Sequence, residues 1–232
     1  MENEDLKPEI KQFSVVLIGD FNPAMFSPEW FGKNHIIAPE DVEFALMPSS
    51  NPIVSAAITI FATQQLNIKI DNRRFQVVTN KEPLIVMKDF IVRTFENLNN
   101  YTISAFGFNY AAHYKIDSIS EYHKVGDLLA PKKYWASLLG EDISGDDRRG
   151  GLATIQMQEE KNDEDGQISI ILQPSNIIKP GFYMSCNDHT NLNEDDCTAE
   201  NLIEQVDKKF ETSYEKMKSI QTTVLKEVIS ER

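Results

Sequence analysis

Residues 151–189 constrain the fold most, because three runs of alternating apolar and polar residues follow one another there. The runs read GLATIQMQEEK, QISIILQPSN and GFYMSCNDH, and they are separated by NDEDG and by a Pro-Gly pair. Alternation with a period of two is typical of strands that bury one face, and the separating residues favour turns. The stretch therefore predicts three adjacent antiparallel strands.

A second block of this kind lies in the first half of the chain. Residues 53–79 contain IVSAAITIFATQ, QLNIKID and RFQVVTN, which predict another three-stranded meander. The residues expected on its buried side are Val54, Ala56, Ile58, Ile60, Leu66, Ile68, Ile70, Phe75 and Val77.

Each meander follows a strand and a short helix and precedes a longer helix. Ser27-Pro28-Glu29 predicts one helix start, and Ser118 with Glu121 forms a capping-box pattern at the other. Apolar residues then recur at steps of three and four in both long helices, which indicates one buried stripe on each. These stripes are Leu84, Met87, Ile91, Phe95 and Leu98, then Ile203, Val206, Phe210, Tyr214 and Met217.

The shared order of elements predicts an α+β fold built from duplicated β-α-β-β-β-α units. We expect an antiparallel sheet with long helices packed on one face and an extended C-terminal helix. This pattern resembles the duplicated saddle of TATA-binding-like and helix-grip folds. Residues 1–12 are charged and are expected to form a flexible lead-in, residues 13–232 a single domain of two pseudo-repeats, 13–100 and 101–232, and residues 141–150 a loop.

The net charge of −13 limits the possible partners. This charge repels phosphate backbones, and no basic cluster offsets it, so it disfavours nucleic acid as a partner. No apolar run approaches the ~20 residues that span a bilayer, which predicts no membrane segment. Because no secretory signal pattern is present and the chain has only 2 cysteines, a cytoplasmic protein is expected.

Chemistry-bearing residues form no complete catalytic or metal motif. Cys186, His189 and Cys197 are close in sequence, but a structural zinc site usually needs two such pairs. The acidic runs at 163–166 and 193–196 lack the ligand spacing of a calcium loop. We therefore predict no catalytic residues, metal or cofactor, with Cys186 packed in the core.

Strand alternation predicts one open, polar sheet face. Ala105, Gly107, Asn109, Ala111 and His113 share one side of their strand, opposite the aromatic side. If helices cover the other face, these residues look outward with the polar side of the strand 182–189. An ordinary solvated face is one interpretation, whereas the small residues favour close approach of a ligand. The expected binding residues are Asn109, His113, Tyr183, Ser185, Asn187 and His189.

The C-terminal helix continues its apolar stripe beyond the point where the first-half helix ends. This favours a homodimer formed through that segment, and packing against residues 27–46 of the same chain is the alternative. The expected oligomer contacts are Ile220, Val224, Leu225 and Val228.

The phrases FGFNYAAHY, GGLATIQMQ and GFYMSCNDH, followed by a long helix, resemble a sporadically distributed prokaryotic family of unknown function. The resemblance covers roughly residues 13–215 and implies no catalytic residues. The resulting prediction is a non-catalytic binding or regulatory protein with a protein partner, in a prokaryotic defence or accessory operon.

Two alternatives to this function stay open. One is a small-molecule sensor or enzyme that uses Asn109, His113, Asn187 and His189 in a pocket. The other is a nucleic-acid binder or an acidic mimic of nucleic acid. A pocket closed by residues 27–46 would favour the sensor or enzyme, because ligand sites are concave. A flat, open face would favour a macromolecule.

Overall fold

A computed structural model describes residues 6–98, 100–139 and 151–231. Nine strands of these residues form one antiparallel sheet in the order β2-β3-β4-β5-β1-β6-β9-β8-β7. The strands are β1 (Ile10–Gly19), β2 (Ile53–Val54), β3 (Ile58–Ala62), β4 (Asn67–Asp71), β5 (Arg74–Thr79), β6 (Ile103–Lys115), β7 (Ile155–Glu160), β8 (Gly166–Pro174) and β9 (Gly181–Asn191).

Three of the helices begin at serine or threonine caps. Ser27, Ser118 and Thr198 each accept a hydrogen bond from a backbone N–H three residues on, which satisfies an otherwise unpaired amide. No helix in the described ranges is long and apolar enough to cross a membrane. The α-helices are α1 (Pro28–Lys33), α2 (Pro39–Leu46), α3 (Ile85–Glu96), α4 (Ile119–Leu129), α5 (Ala136–Leu139) and α6 (Ala199–Ser230).

The predicted duplication is visible in the sheet. The first half contributes β3-β4-β5-β1 from one edge inward, and the second contributes β7-β8-β9-β6 from the other edge. The halves meet where β1 pairs with β6. The α+β fold with repeated β-α-β-β-β-α units is therefore confirmed, with β2 as an addition to the first unit.

The long helices cover one face of this sheet. Phe75 of β5 packs against Phe90 and Phe95 of α3, and Phe108 of β6 packs against Phe210 of α6. The shorter helices lie on the same face, since Phe31 of α1 contacts Phe61 and Tyr122 of α4 stacks on Phe182. This face holds the hydrophobic core, and the opposite face is open.

The predicted facing of β3 is wrong. Thr59 and Phe61 point to the core and are at most 2% exposed, whereas Ile58 and Ile60 are only half-buried and Val54 and Ala56 are exposed. The cause is a turn at residues 55–57, which splits the expected strand into β2 and β3 and shifts the alternation. Ser55 stabilises this turn by accepting hydrogen bonds from the backbone N–H groups of residues 57 and 58. The predicted buried residues of β4 and β5 are confirmed.

Two further expectations need correction. Order begins before residue 13, because Leu6 packs against the core and β1 starts at Ile10. The spacing of the apolar residues Tyr134, Trp135 and Leu138 in the sequence predicts a packed face, but these side chains are more than half exposed. Residues 1–5 and the expected loop at 141–150 lie outside the described residues.

The far half of α6 packs within its own chain. Gln221 and Leu225 are fully buried, and Ile220, Val224 and Val228 are partly buried against the core. The surface beneath them comes from β6 and α4 rather than from residues 27–46. The premise that the monomer offers no packing surface there is therefore wrong, and the homodimer itself stays a prediction.

Candidate functional site

The open face of the sheet contains a shallow depression of about 510 Å³ at its centre. It crosses the junction of the two halves, so that β1, β5, β6 and β9 all contribute to it. The lining residues are mainly amides, hydroxyls and small side chains. They are Gln12, Ser14, Val16, Ile18, Arg74, Gln76, Gly107, Asn109, Ala111, Tyr183, Ser185, Asn187 and His189.

The structure brings five of the six expected binding residues together in this depression. Asn109 lies on β6, and Tyr183, Ser185, Asn187 and His189 follow at alternate positions of β9. Their side chains point the same way because β6 and β9 pair in register, with Asn109 opposite Asn187 and Ala111 opposite Ser185. The sixth expected residue, His113, does not line the depression.

An amide pair occupies the middle of the floor. The Asn187 Nδ2 group donates to Asn109 Oδ1 at 2.7 Å, and both side chains are half-buried. Gly107 lies beside this pair, where an added Cβ would stand 3.1 Å from Asn187 Nδ2 and 3.7 Å from His189 Nδ1. A larger residue at 107 would therefore push against the amide, and glycine keeps the floor low.

Six lining residues from the first half were not predicted from the sequence: the polar Gln12, Ser14, Arg74 and Gln76 and the apolar Val16 and Ile18. Ser14 is 8% exposed and lies opposite Asn109 across the β1–β6 pairing. Arg74 and Gln76 are placed beside β1 by its pairing with β5. Alternation along β5 indicates that Arg74 and Gln76 leave the core, whereas most of β1 is apolar on both sides. Only the strand order shows that the β1 and β5 residues join those of β6 and β9.

His113 stabilises the structure at one end of the open face. It is 9% exposed, its Nδ1 lies 2.9 Å from Ser175 Oγ, and its ring centroid lies 4.9 Å from that of Tyr183. The serine oxygen already accepts from the N–H groups of Ile177 and Ile178, so its own proton points to His113 Nδ1. Burial lowers the pKa of His113, in keeping with a neutral ring.

This burial predicts a pH dependence of folding stability. The unfolded chain binds a proton at His113 near pH 6.5 that the folded chain resists, so stability falls as the pH drops below that value. The decline due to one proton cannot exceed about 1.4 kcal/mol per pH unit. We expect His113→Gln to show a shallower decline than the wild type in urea unfolding between neutral pH and pH 5. Parallel curves for the two proteins would contradict the assignment.

The open face is poor in charge compared with the chain as a whole. Its strand positions carry the cations Lys69, Arg74 and Lys115 and the carboxylates Asp71 and Glu160. The Asp71 Oδ1 atom already accepts from the backbone N–H groups of residues 73 and 74. Since the chain carries −13, most of the negative charge lies on other surfaces.

A partly buried ion network lies on the opposite face, between the β7–β8 turn and α6. Asp188 Oδ1 lies 2.5 Å from Lys161 Nζ, and Asp188 Oδ2 accepts from Ser213 at 2.6 Å. Lys161 also contacts Glu164, which pairs with Lys209 of α6. Burial alone would raise the pKa of Glu164, but hydrogen bonds from both lysines outweigh it and lower the pKa. This network ties the hairpin to the helix.

The expected packing of Cys186 agrees with its surroundings. The thiol is 1% exposed on the helix-covered side of β9, and burial raises its pKa to about 12. His189, three positions on, points to the open face. Cys186 and His189 therefore lie on opposite sides of the sheet and cannot share an ion, while the Cys197 thiol donates to the carbonyl oxygens of Leu192 and Asn193.

The candidate site is thus a hydrogen-bonding depression on an open sheet face, in which Arg74 is the charged residue and no carboxylate balances it. No protein-family model matches the sequence, and no curated protein matches it significantly.

Proposed function

We propose that this protein acts by binding a protein partner on its open sheet face, without catalysis. The observation that carries the proposal is the position of residues 27–46, which could have closed the depression. Phe31 in this segment packs instead against Phe61 and Phe90 on the helix-covered face. The depression is therefore left open, as a macromolecular partner requires, rather than enclosed like a typical small-molecule pocket.

The chemistry of the lining supports binding over catalysis. His189 provides the imidazole of the lining, and its Nε2 atom is 2.9 Å from Asn191 Oδ1. The lining residues include no carboxylate or thiol to act with it as an acid, base or nucleophile. Amides and hydroxyls provide directional hydrogen bonds, which suit specific recognition of a polar surface.

A small-molecule sensor that uses the same residues is the second candidate. The volume of about 510 Å³ favours it, because ligand sites commonly measure ~300–1,000 Å³. Such a sensor would bind small metabolites to the depression in the absence of any protein.

Two serine substitutions test the proposed function. Ser185 and Ser169 are both half-buried on the open face, on the adjacent strands β9 and β8, but only Ser185 lines the depression. In pull-downs from cells that naturally produce the protein, we expect one protein to be retained by the wild type and by Ser169→Trp. The same protein should be lost with Ser185→Trp, because the indole fills the depression.

Circular dichroism and a urea midpoint close to that of the wild type confirm that each variant is folded. A protein retained equally by all three baits would contradict docking on this face. Retention of no protein, together with small molecules that mass spectrometry finds on the wild type but not on Ser185→Trp, would favour the sensor.

A further inference from the structure

We propose that the depression holds an extended peptide segment of the partner, lying along β6. In this arrangement the main-chain amides of the segment bond to Ser14, Asn109 and Asn187, and an acidic side chain of the segment lies near Arg74. The inference rests on the proposed function and narrows it, because a folded partner could also dock on the face through a surface of another kind.

The amide pair offers unused groups that match a peptide bond. An asparagine side chain carries a carbonyl acceptor and two N–H donors, as a peptide unit carries an acceptor and a donor. The bond from Asn187 to Asn109 uses one donor and one acceptor. The Asn109 Nδ2 donors and the Asn187 Oδ1 acceptor are left for an occupant, so that one peptide unit can bond to both residues.

Ser14 supplies an independent indication of a ligand. It is more than nine-tenths buried and lines the depression next to Asn109. Within the described part of the chain its hydroxyl has no hydrogen-bond partner. The hydroxyl oxygen is still accessible from the depression, so an occupant can bond to it. A carbonyl or N–H group of a bound segment would satisfy it.

The floor along β6 is low enough for a backbone to approach. Ala105, Gly107 and Ala111 face the open side at alternate positions, and Asn109 is the polar residue among them. Side chains on one face of a strand recur every ~6.6–6.8 Å, which is also the repeat of an extended peptide. The side chains of a segment that lies along β6 therefore stay in step with the outward-facing residues of this strand.

Charge distinguishes one end of the depression. The exposed Arg74 makes no ion pair with any described residue, and the nearest acid of its own strand pair, Asp71, is bonded to backbone N–H groups. His189 lies across the sheet from Arg74 in the same lining. An acidic side chain is favoured at this end, whereas the net charge of −13 disfavours acidic residues elsewhere in the segment.

A peptide explains these features better than single-stranded nucleic acid. Nucleic acid needs a basic groove and several aromatic platforms on which bases stack. The lining offers one arginine and, apart from His189, one aromatic ring, that of Tyr183. Ser14, Asn109 and Asn187 are cross-strand partners and form a row across the strands. A segment along β6 crosses this row once, where the N–H and C=O groups of its neutral main chain point to either side.

A phage-displayed library of random linear peptides is the probe that tests this inference. The wild type and Ser169→Trp are expected to select the same peptides, and Ser185→Trp to bind none of them. Asn109→Asp keeps the acceptor for Asn187 but removes the Nδ2 donor, so we expect it to weaken the selected peptides by about tenfold or more.

The proposed contact between Arg74 and an acidic side chain of the segment has its own matched control. Arg74→Glu should weaken binding by about tenfold or more, and a peptide with lysine in place of its acidic residue should recover affinity for this variant. Arg73→Glu makes the same charge change at an exposed neighbour that does not line the depression, and it should have little effect. Equal losses of affinity in the two variants would overturn the placement of an acidic side chain near Arg74.

Other outcomes overturn the peptide itself. If no peptide is selected, if selected peptides still bind Ser185→Trp, or if only single-stranded oligothymidine binds, the inference fails. The pull-down separates this failure from that of the proposed function. A partner protein that Ser185→Trp loses, with no peptide selected, leaves the proposed function standing and indicates a folded partner surface.

Discussion

Replacing Phe210 by alanine is expected to lower the free energy of unfolding by about 3–5 kcal/mol, the usual loss for a buried aromatic ring. Phe210 is 2% exposed and lies where α6 crosses the sheet. Its ring meets Phe13 edge-on with centroids 5.3 Å apart and meets Phe108 at 6.0 Å. Alanine would remove both contacts and leave a cavity beneath the helix.

Urea unfolding followed by circular dichroism measures this loss. Ile91→Ala, in the corresponding position of α3, should show a smaller loss, because isoleucine is smaller although equally buried. Lys208→Ala is the control, since this exposed residue of α6 faces away from the sheet and should change stability by no more than about 0.5 kcal/mol. An unchanged midpoint for Phe210→Ala would show that the helix does not pack on this stripe.

The periodicity that predicted Phe210 also predicted most of the fold. Apolar residues at steps of three and four share one side only in a helix, and strictly alternating apolar residues share one side only in a strand. These patterns therefore identified the buried residues of β4, β5 and α3. The order of these patterns predicted the duplicated sheet because each half repeats it. Local sequence is sufficient for such features, since each depends on neighbours within a few residues.

Prediction failed where the turn at residues 55–57 shifted the alternation. In β3 the apolar Ile58 and Ile60 suggested the buried side, but Thr59 and Phe61 occupy it. The Thr59 hydroxyl donates to the Pro23 carbonyl at 2.7 Å, which satisfies a polar group that the pattern placed in solvent. A hydrogen bond between residues so far apart in sequence leaves no trace in local periodicity, and a one-residue slip reverses every side chain.

The candidate site could be predicted only in part for a similar reason. Asn109 and Asn187 were expected to be close because both side chains were expected on the open face of the sheet. Ser14 and Arg74 join them only through the pairing of β1 with both β6 and β5, which sequence patterns do not specify. Sequence reasoning also assigned His113 to the site, although the hydroxyl of Ser175, which binds its ring, belongs to a distant loop.

The buried position of Asp188 could have been predicted from the sequence together with its need for a cation. It falls on the buried side of β9, between Cys186 and Thr190 in the alternation. A carboxylate on an otherwise apolar face indicates a buried partner, because an unpaired charge there would be very costly. The position alone predicts that a cation must be nearby, and the structure identifies Lys161 as that cation.

Ending the chain after Lys218 is expected to cause the largest loss of stability. It removes Leu225, which is fully buried and is worth about 2–5 kcal/mol by comparison with leucine-to-alanine changes. It also removes Gln221, which donates to the Tyr110 carbonyl at 2.9 Å and accepts from the Tyr114 hydroxyl at 3.1 Å. Leaving these buried groups unpaired costs about 1–3 kcal/mol each. Domains are stable by only about 5–15 kcal/mol. Most of the truncated chains should therefore be unfolded, and the sample should show no cooperative unfolding transition.

Calorimetry and sedimentation of the truncated chain, beside a control that lacks only residues 231 and 232, distinguish internal packing from subunit contact. The control should unfold as the full chain does, because Gln221 and Leu225 are kept. If α6 mainly joined two subunits, the full chain would sediment as a dimer and the truncated chain as a folded monomer. Internal packing predicts instead a truncated chain without a sharp thermal transition, since Leu225 and Gln221 complete the core above β6. A folded truncated monomer would therefore contradict the packing described for this helix.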